Sequence, residues 1–483
     1  MGYRLRVIGY IAVILFMVAC REYHVSDDPS LRLAFSHDTV RFDTVFTEQG
    51  SSTLQFKVYN PNKNALLIER IWLDKGTVFR VNIDGEADLS QFKDLPIYGG
   101  DSLLVFVRVT DYGANGQNDA VWLEDKLHFR LATGSTQDIV LEACSQDVER
   151  IGKIGCNRTE RGSMTFTADK PYLLFDTLIV DTMLTIQAGA RLYMHKGACI
   201  YVLGDVTAKG TKDAPIVIRG DRLDHLFDSV PYLYAGGSWG GVFFQSEQPQ
   251  TYVMDYVDIL SGNVGLACVS LCNGTLPTLQ MNGCRIHNHT LYGLVLSHVD
   301  AQVTNTEISN CASYCVYCDG GKHDFVHTTI ASYFNYTSIR IQAVAKEDAA
   351  AVYIYNLSKQ APQTITSFTN SIITGYLPNQ LVVATPIDRY YPGSFIGNYL
   401  KTDTLPFPHA QDNVYWQSTD TMPVFVNNFY KYKEYVYYDF HLDSLSPARS
   451  IGDSLAAQPF PLDRDGISRA GLKPDAGCYQ YLP

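Results

Sequence analysis

The chain has 483 residues, which is long for one ordinary domain and predicts two or three. Hydrophobic residues make up 46% and charged residues 18%, which excludes wholesale disorder. The net charge of −12, with no basic block, argues against nucleic-acid binding. There are 32 Tyr and 23 Phe against 8 Met, and tyrosine favours strands and stacking surfaces.

Residues 1–20 carry Arg4 and Arg6, then an apolar run from Val7 to Val18, then Ala19 and Cys20. The run is short for a membrane span. Met17-Val18-Ala19-Cys20 resembles the lipobox of bacterial lipoproteins, which implies cleavage before Cys20 and acylation of its thiol. The alternatives are a plain secretory signal and an uncleaved anchor. Several acyl chains on Cys20 would hold the protein on a membrane. Residues 21–30 are polar, include Asp27 and Asp28, and read as a tether. The expected address is the cell outer membrane, with the periplasmic and extracellular faces both open.

Residues 31–145 alternate in the manner of strands. Leu54, Phe56 and Val58 take one side, and Gln55, Lys57 and Tyr59 the other. Leu127, Phe129 and Leu131 repeat the pattern. About seven such runs between Gly, Asn and Asp turns predict an antiparallel sandwich. The segments FKVYNPNKNALLIERI and YGGDSLLVFVRV resemble immunoglobulin-like modules of bacterial surface lipoproteins, which implies a spacer or docking unit. Residues 146–164 read as a linker. Cys144 and Cys156 flank it and are a candidate disulfide in an exported compartment, or else two buried thiols.

From residue 165 to about 380 the rhythm changes. Ile286, Ile308 and Ile330 lie 22 residues apart, as do Tyr292, Tyr314 and Tyr336. Asn288 and Asn310 keep the same interval, and Ser332 takes the third place. Like residues recurring in register predict a right-handed parallel β-helix with about 22 residues per coil. About ten coils, at ~4.8 Å each, would make a rod about 50 Å long. The run AGARLYMHKGACIYVLGDVTAKGTKDAPIVIRGDRLD, followed by GGSWGGVFF, resembles the opening coils of Bacteroidota-type β-helix lipoproteins of the broad pectin-lyase-like group. Asp463, Asp465-Gly466, Arg469 and Asp475-Ala476-Gly477-Cys478-Tyr479 resemble their tail. Residues 381–483 are expected to continue the helix or to cap its open end.

Strand parity places Ile286 and Ile308 inside, with Tyr292 and Tyr314 in the same row, and Arg285, His287 and Glu307 outside, with His327 nearby. On an exposed sheet, Glu307 or His287 would serve as general base, and Arg285 would hold a uronate. The alternative is a surface ion pair among scattered histidines. Cys311, Cys315 and Cys318, with His323 and His327, have a spacing that invites zinc. Parity sets Cys315 on the face opposite Cys318, so no metal site is expected. No cofactor is expected either. Arg219-Gly220-Asp221 matches an integrin-binding tripeptide, a three-residue match of little weight. Tyr232, Tyr234 and Trp239 are candidate sugar-stacking residues, because an aromatic ring and a sugar ring are both flat and amphipathic. These observations lead to an all-β protein that binds glycans or surfaces without catalysis. The alternatives are a polysaccharide lyase or glycoside hydrolase, and a structural or adhesive rod that meets surface proteins.

Overall fold

The structure is a computed structural model. It describes residues 24–113, 119–153, 159–227, 230–272, 274–333, 350–356, 363–384, 390–403, 409–428, 438–470 and 473–482. Cys20 and Cys156 lie outside the described residues, as does Tyr336. The chain divides into two compact units, Met1–Asp147 and Val148–Pro483. Both are almost wholly β-structure. Among the described residues no helix is long and apolar enough to cross a membrane.

In the first unit two sheets enclose one core. Four strands run in the order Ala34–Phe35, Leu54–Tyr59, Ser102–Val109 and Phe79–Ile83. Five run in the order Thr39–Phe46, Thr136–Gln146, Val121–Leu131, Leu66–Leu73 and Leu95–Ile97. Phe56, Val58, Phe79, Val105, Leu127, Phe129 and Leu141 fill the space between them. The period-2 alternation of the sequence is what turns these side chains to one face. The expectation of purely antiparallel pairing needs one correction: Thr39–Phe46 runs parallel to Thr136–Gln146.

The second unit consists of parallel sheets of 11 and 17 strands around a continuous apolar core, consistent with a parallel β-helix. Ile286 pairs with Ile308, and Ile308 with Ile330. The 22-residue interval recurs where Leu178 pairs with Ile200 and Met183 with Asp205, but it does not hold throughout. Asp258 pairs with Arg285, and Thr329 with Ile372, across longer connections. Insertions leave at the corners while the strands stay in register, because a slip of one residue would turn core side chains outward.

The corners are built from left-handed backbone. Tyr256, Gly283, Asn305, His327, Asn370, Gly397 and Asp412 all have φ between 47° and 67°, and each stands just before a strand of the 11-stranded sheet. At the other end of three of these strands, Ser261, Asn288 and Asn310 have φ of 62°, 66° and 53°. Gly, Asn and Asp tolerate this region best. Asn288 and Asn310, which recur at 22 residues, therefore occupy a corner. Asn288 Nδ2 donates to Leu233 O (3.1 Å) and Ser261 Oγ (3.3 Å), and Asn310 Oδ1 accepts from Tyr333 N (3.0 Å).

The stack continues as far as Val414–Tyr415. The chain then returns along the side of the 11-stranded sheet. Phe425, Phe440, Leu442, Ala448, Ala476, Cys478 and Tyr479 pack on Ala331, Ile372 and Tyr399. The C-terminal segment lies against a face of the 11-stranded sheet. Asn370 ties it down. Its Oδ1 accepts from Asp453 N (2.6 Å), and its Nδ2 donates to Asp453 O (2.9 Å). Asn370→Ala is expected to cost about 3 kcal/mol, from lost buried hydrogen bonds and a left-handed alanine. A urea midpoint lowered in the variant, with the slope unchanged, is the check.

Candidate functional site

Asp258, Arg285, Glu307 and Thr329 stand in register on neighbouring strands, on the outward side of the 11-stranded sheet. Parity had placed Arg285 and Glu307 there. The correction concerns access, because the returning C-terminal segment lies over them. Glu307 is 5% exposed. Its Oε2 accepts from Tyr479 Oη (2.6 Å), and its Oε1 accepts from Ser309 Oγ (2.6 Å). Arg285 Nη2 donates to Asp258 Oδ2 (3.1 Å), and Arg464 Nη2 donates to Asp258 Oδ1 (2.8 Å). His287 Nδ1 meets Ser309 Oγ at 2.8 Å and Glu307 Oε1 at 3.8 Å. Tyr438 and Phe440 pack edge-on against its ring.

This is a largely covered ion network, in which the Glu307 and His287 side chains are 6% and 12% exposed and the Nε atoms of Arg285 and Arg464 are buried without a hydrogen-bond partner. Burial pushes the Glu307 carboxyl up, but Arg285, His287 and two hydrogen bonds outweigh it and hold it below its ordinary value. Burial pushes His287 down to about 4. His327 stands apart from this group. It is a corner residue, fully buried, whose Nε2 faces Asn370 Nδ2 at 3.1 Å. The structure therefore brings three of the four proposed catalytic residues together and leaves 36% of the Arg285 side chain and 12% of His287 exposed. Asp258, Arg464 and Tyr479 complete the cluster.

Trp239 is also corrected. It is 0% exposed, sits in the core, and donates from Nε1 to Leu260 O at 2.9 Å. An indole with both faces packed has none to offer a sugar. Tyr232 and Tyr234 share one 3-10 turn and are half-buried. The Arg222 guanidinium lies 4.2 Å over the Tyr232 ring, while the same side chain pairs with Asp224. Cys315 is fully buried beside Cys311 and Cys318, against the parity reading, because consecutive residues turn inward where the chain leaves the corner. Among the described residues no group of three His, Cys, Asp or Glu is arranged to hold a metal ion. Cys144 lies half-buried in its strand. Arg219 and Gly220 end a strand, Gly220 is buried, and the Asp221 side chain just after it is 7% exposed, so the tripeptide is no adhesive loop.

The accessible feature lies on the 17-stranded sheet. Tyr201, Phe243, Ala267, Val295, Tyr317, Tyr353 and Val382 follow one another in register, one from each successive strand. Val316 and Cys318 are fully buried on either side of Tyr317, so this column points outward. Tyr201 stacks on Phe243 at 4.6 Å. Tyr314 stacks on Tyr353 at 4.4 Å, and Tyr353 overlaps Tyr317 and Tyr355 at 6.0 and 6.3 Å. Tyr292 joins through Tyr314 and Tyr317, each at 6.1 Å. Tyr292 and Tyr314 therefore belong to this outer cluster and not to the core row that parity assigned. Tyr353 overlaps Tyr317 and Tyr355 in offset fashion, at interplanar angles of 12° and 22°, which leaves part of these faces uncovered, whereas Tyr292 meets Tyr317 edge-on and Tyr314 is buried. Burial raises the Tyr317 hydroxyl above its ordinary value, so it stays protonated and able to donate.

No family model matches this chain, and no curated protein matches it. Several solved structures align. A protein of unknown function from Porphyromonas gingivalis W83 shows 12% identity and a TM-score of 0.19, over 26% of this chain and 49% of that one. This chain thus spans about half of that protein's length. The PapD-like domain 7 of human CEP192 shows 11% identity and a TM-score of 0.18, over 27% of this chain and 97% of that one. Dex49A from Penicillium minioluteum shows 9% identity and a TM-score of 0.14, over 76% of this chain and 74% of that one. Scores this low carry no argument about fold or activity.

Four buried histidines make a testable signature. Burial pushes His287 and His323 down to about 4, and His289 and His327 down to about 3. Folded, they stay neutral while the unfolded chain takes up protons below its ordinary histidine value near 6.5. Stability is therefore complete above pH 6.5 and is lost as pH falls towards 4, by up to about 1.4 kcal/mol per pH unit for each histidine. Urea midpoints between pH 7 and 4.5 should fall steeply. His323→Leu should flatten the slope, since it removes one of the groups that take up a proton only in the unfolded chain.

Proposed function

We propose that this chain is an exported, lipid-anchored glycan-binding protein of the bacterial outer membrane, without catalysis of its own. On this reading the first unit is an immunoglobulin-like spacer. The second is a right-handed, pectin-lyase-like β-helix that displays the tyrosine cluster. The observation that carries the reading is that cluster: Tyr292, Tyr314, Tyr317, Tyr353 and Tyr355 on an outward sheet face. A row of offset rings, with phenol hydroxyls at the margin, suits the apolar face and hydroxyl rim of pyranose units. The enzyme alternative loses its support on the face around Arg285, where the acid and base are covered.

The test is equilibrium binding of the whole chain, in detergent, to a panel of neutral and acidic polysaccharides. At least one glycan should bind. A Tyr317→Ala, Tyr353→Ala double variant should lose about tenfold or more in affinity, about 1.4 kcal/mol. New reducing ends or unsaturated uronate after a day with the wild type would overturn the non-catalytic reading. Unchanged binding by the double variant would remove the tyrosine cluster as the site.

The anchor is tested separately. Metabolic labelling with a fatty acid should mark the wild type, and Cys20→Ser should abolish the label and release the protein from the membrane fraction. A Cys20→Ser protein that stays with the membrane would overturn the anchor.

A further inference from the structure

The upstream part of the 11-stranded sheet carries a second arrangement that the glycan reading does not use. Strands Arg191–Met194 and Ile216–Gly220 pair so that Arg191 faces Val217 and Tyr193 faces Arg219. Leu192 and Ile218 point into the core, so Arg191, Tyr193 and Arg219 point outward, with His195 and Asp221 just beyond the strand ends on the same side. Arg219 is half-buried. Its Nη2 donates to Arg222 O at 3.0 Å, and its Nε is buried without a partner. Among the described residues, neither Arg191 nor Arg219 is paired with a carboxylate.

The nearest carboxylates are already engaged. Asp221 Oδ2 holds His195 Nδ1 at 2.6 Å. Asp224 is paired with Arg222. Asp258, one strand further along the stack, is held by Arg285 and Arg464. The register neighbours of Tyr193 and Arg219 on either side are Leu173 and Leu260, which offer no acceptor from their side chains. A guanidinium taken partly out of water without a counter-charge is costly, so it marks a place where an anion from outside is favoured. Burial accordingly lowers the Arg219 pKa from its ordinary value.

We propose that Arg191 and Arg219, with His195 beside them, form a binding site for an oxyanion borne by a glycan, a carboxylate or a sulfate ester. The guanidinium fork matches the paired oxygens of either group. The Asp221 carboxylate fixes the ring of His195 by Nδ1 and leaves Nε2 as its second hydrogen-bonding atom. The site is on a different sheet from the tyrosine cluster and does not rest on it. In a chain of net charge −12 it gives acidic glycans a local foothold that the overall charge denies them.

The experiment is titration calorimetry of the whole chain, in detergent at low salt, with dextran sulfate, polygalacturonate, uncharged dextran and inorganic sulfate. Dextran sulfate or polygalacturonate should bind. Arg191→Gln, Arg219→Gln should weaken that binding at least tenfold, and Arg219→Lys should retain part of it. The Tyr317→Ala, Tyr353→Ala variant should bind the charged polymer as wild type does. Arg191→Gln alone, which leaves Arg219 in place, keeps the test valid if the double variant does not fold. The proposal is overturned if neither charged polymer binds, or if the arginine variants bind as wild type does. Loss in the tyrosine variant but not in the arginine variants would move the charged polymer to the tyrosine face, overturning this site while leaving the glycan reading intact. Arginine-dependent binding of inorganic sulfate, with no polymer bound, would assign a free anion and overturn the glycan part.

Discussion

The constraint on which the second unit depends is that strands stack in parallel register around one core. Each strand must set its apolar residues over those of the strand before it, or the interior opens. Register then dictates the corners. The backbone has to turn at the same place on successive strands, and it does so through the left-handed region at Tyr256, Gly283, Asn305, His327, Asn370, Gly397 and Asp412. Loop length is free, because an insertion that leaves and returns at a corner does not disturb the stack. This is why the interval between paired residues varies while the pairing does not.

A stack of this kind has outward faces, and the two faces of interest have opposite fates. On the 11-stranded sheet the outward column carries Asp258, Arg285 and Glu307, with alternating sign on adjacent strands. Left open to water it would be an ordinary charged surface of small energetic worth. The returning segment brings Arg464 and Tyr479, which pair with Asp258 and Glu307, and covers the column as a largely buried network. Removing one partner would leave an uncompensated charge, so the network ties the end of the chain to the middle of the stack. His441 contributes at the rim of the same segment. It is gripped between Asp439 (2.6 Å) and Asp465 (2.8 Å), and those hydrogen bonds raise its pKa to about 10. The face of the 17-stranded sheet that carries the tyrosine column keeps Tyr201, Phe243, Tyr317 and Tyr353 partly exposed, which gives it accessible rings suited to a ligand.

Much of this was legible in residues close together in the chain. Alternation in Leu54 to Tyr59 and in Leu127 to Leu131 identified strands, because a period of two is a local property. The recurrence of Ile286, Ile308 and Ile330 identified stacking, because register repeats like residues. Parity set Arg285 and Glu307 outward for the same reason. Trp239 was misplaced because aromatic character says nothing of burial. Tyr292 and Tyr314 were misplaced because parity counted from Leu294 and Val316 breaks at a corner. Glu307 and His287 were read as accessible because their cover comes from Tyr479 and Tyr438, far along the chain.

The sequence by itself determined the all-β character, the stacking of like residues and the side of the sheet on which Arg285 and Glu307 stand. These follow from periodicities of two and of one coil, which local sterics and the apolar core enforce. Tertiary structure alone decided which outward face stays open. Tyr479 meets Glu307 across 172 positions, and Arg464 meets Asp258 across 206. No local pattern encodes such contacts, because they depend on where the chain turns back after the last strand, and burial of a charge becomes visible only once its partner has arrived.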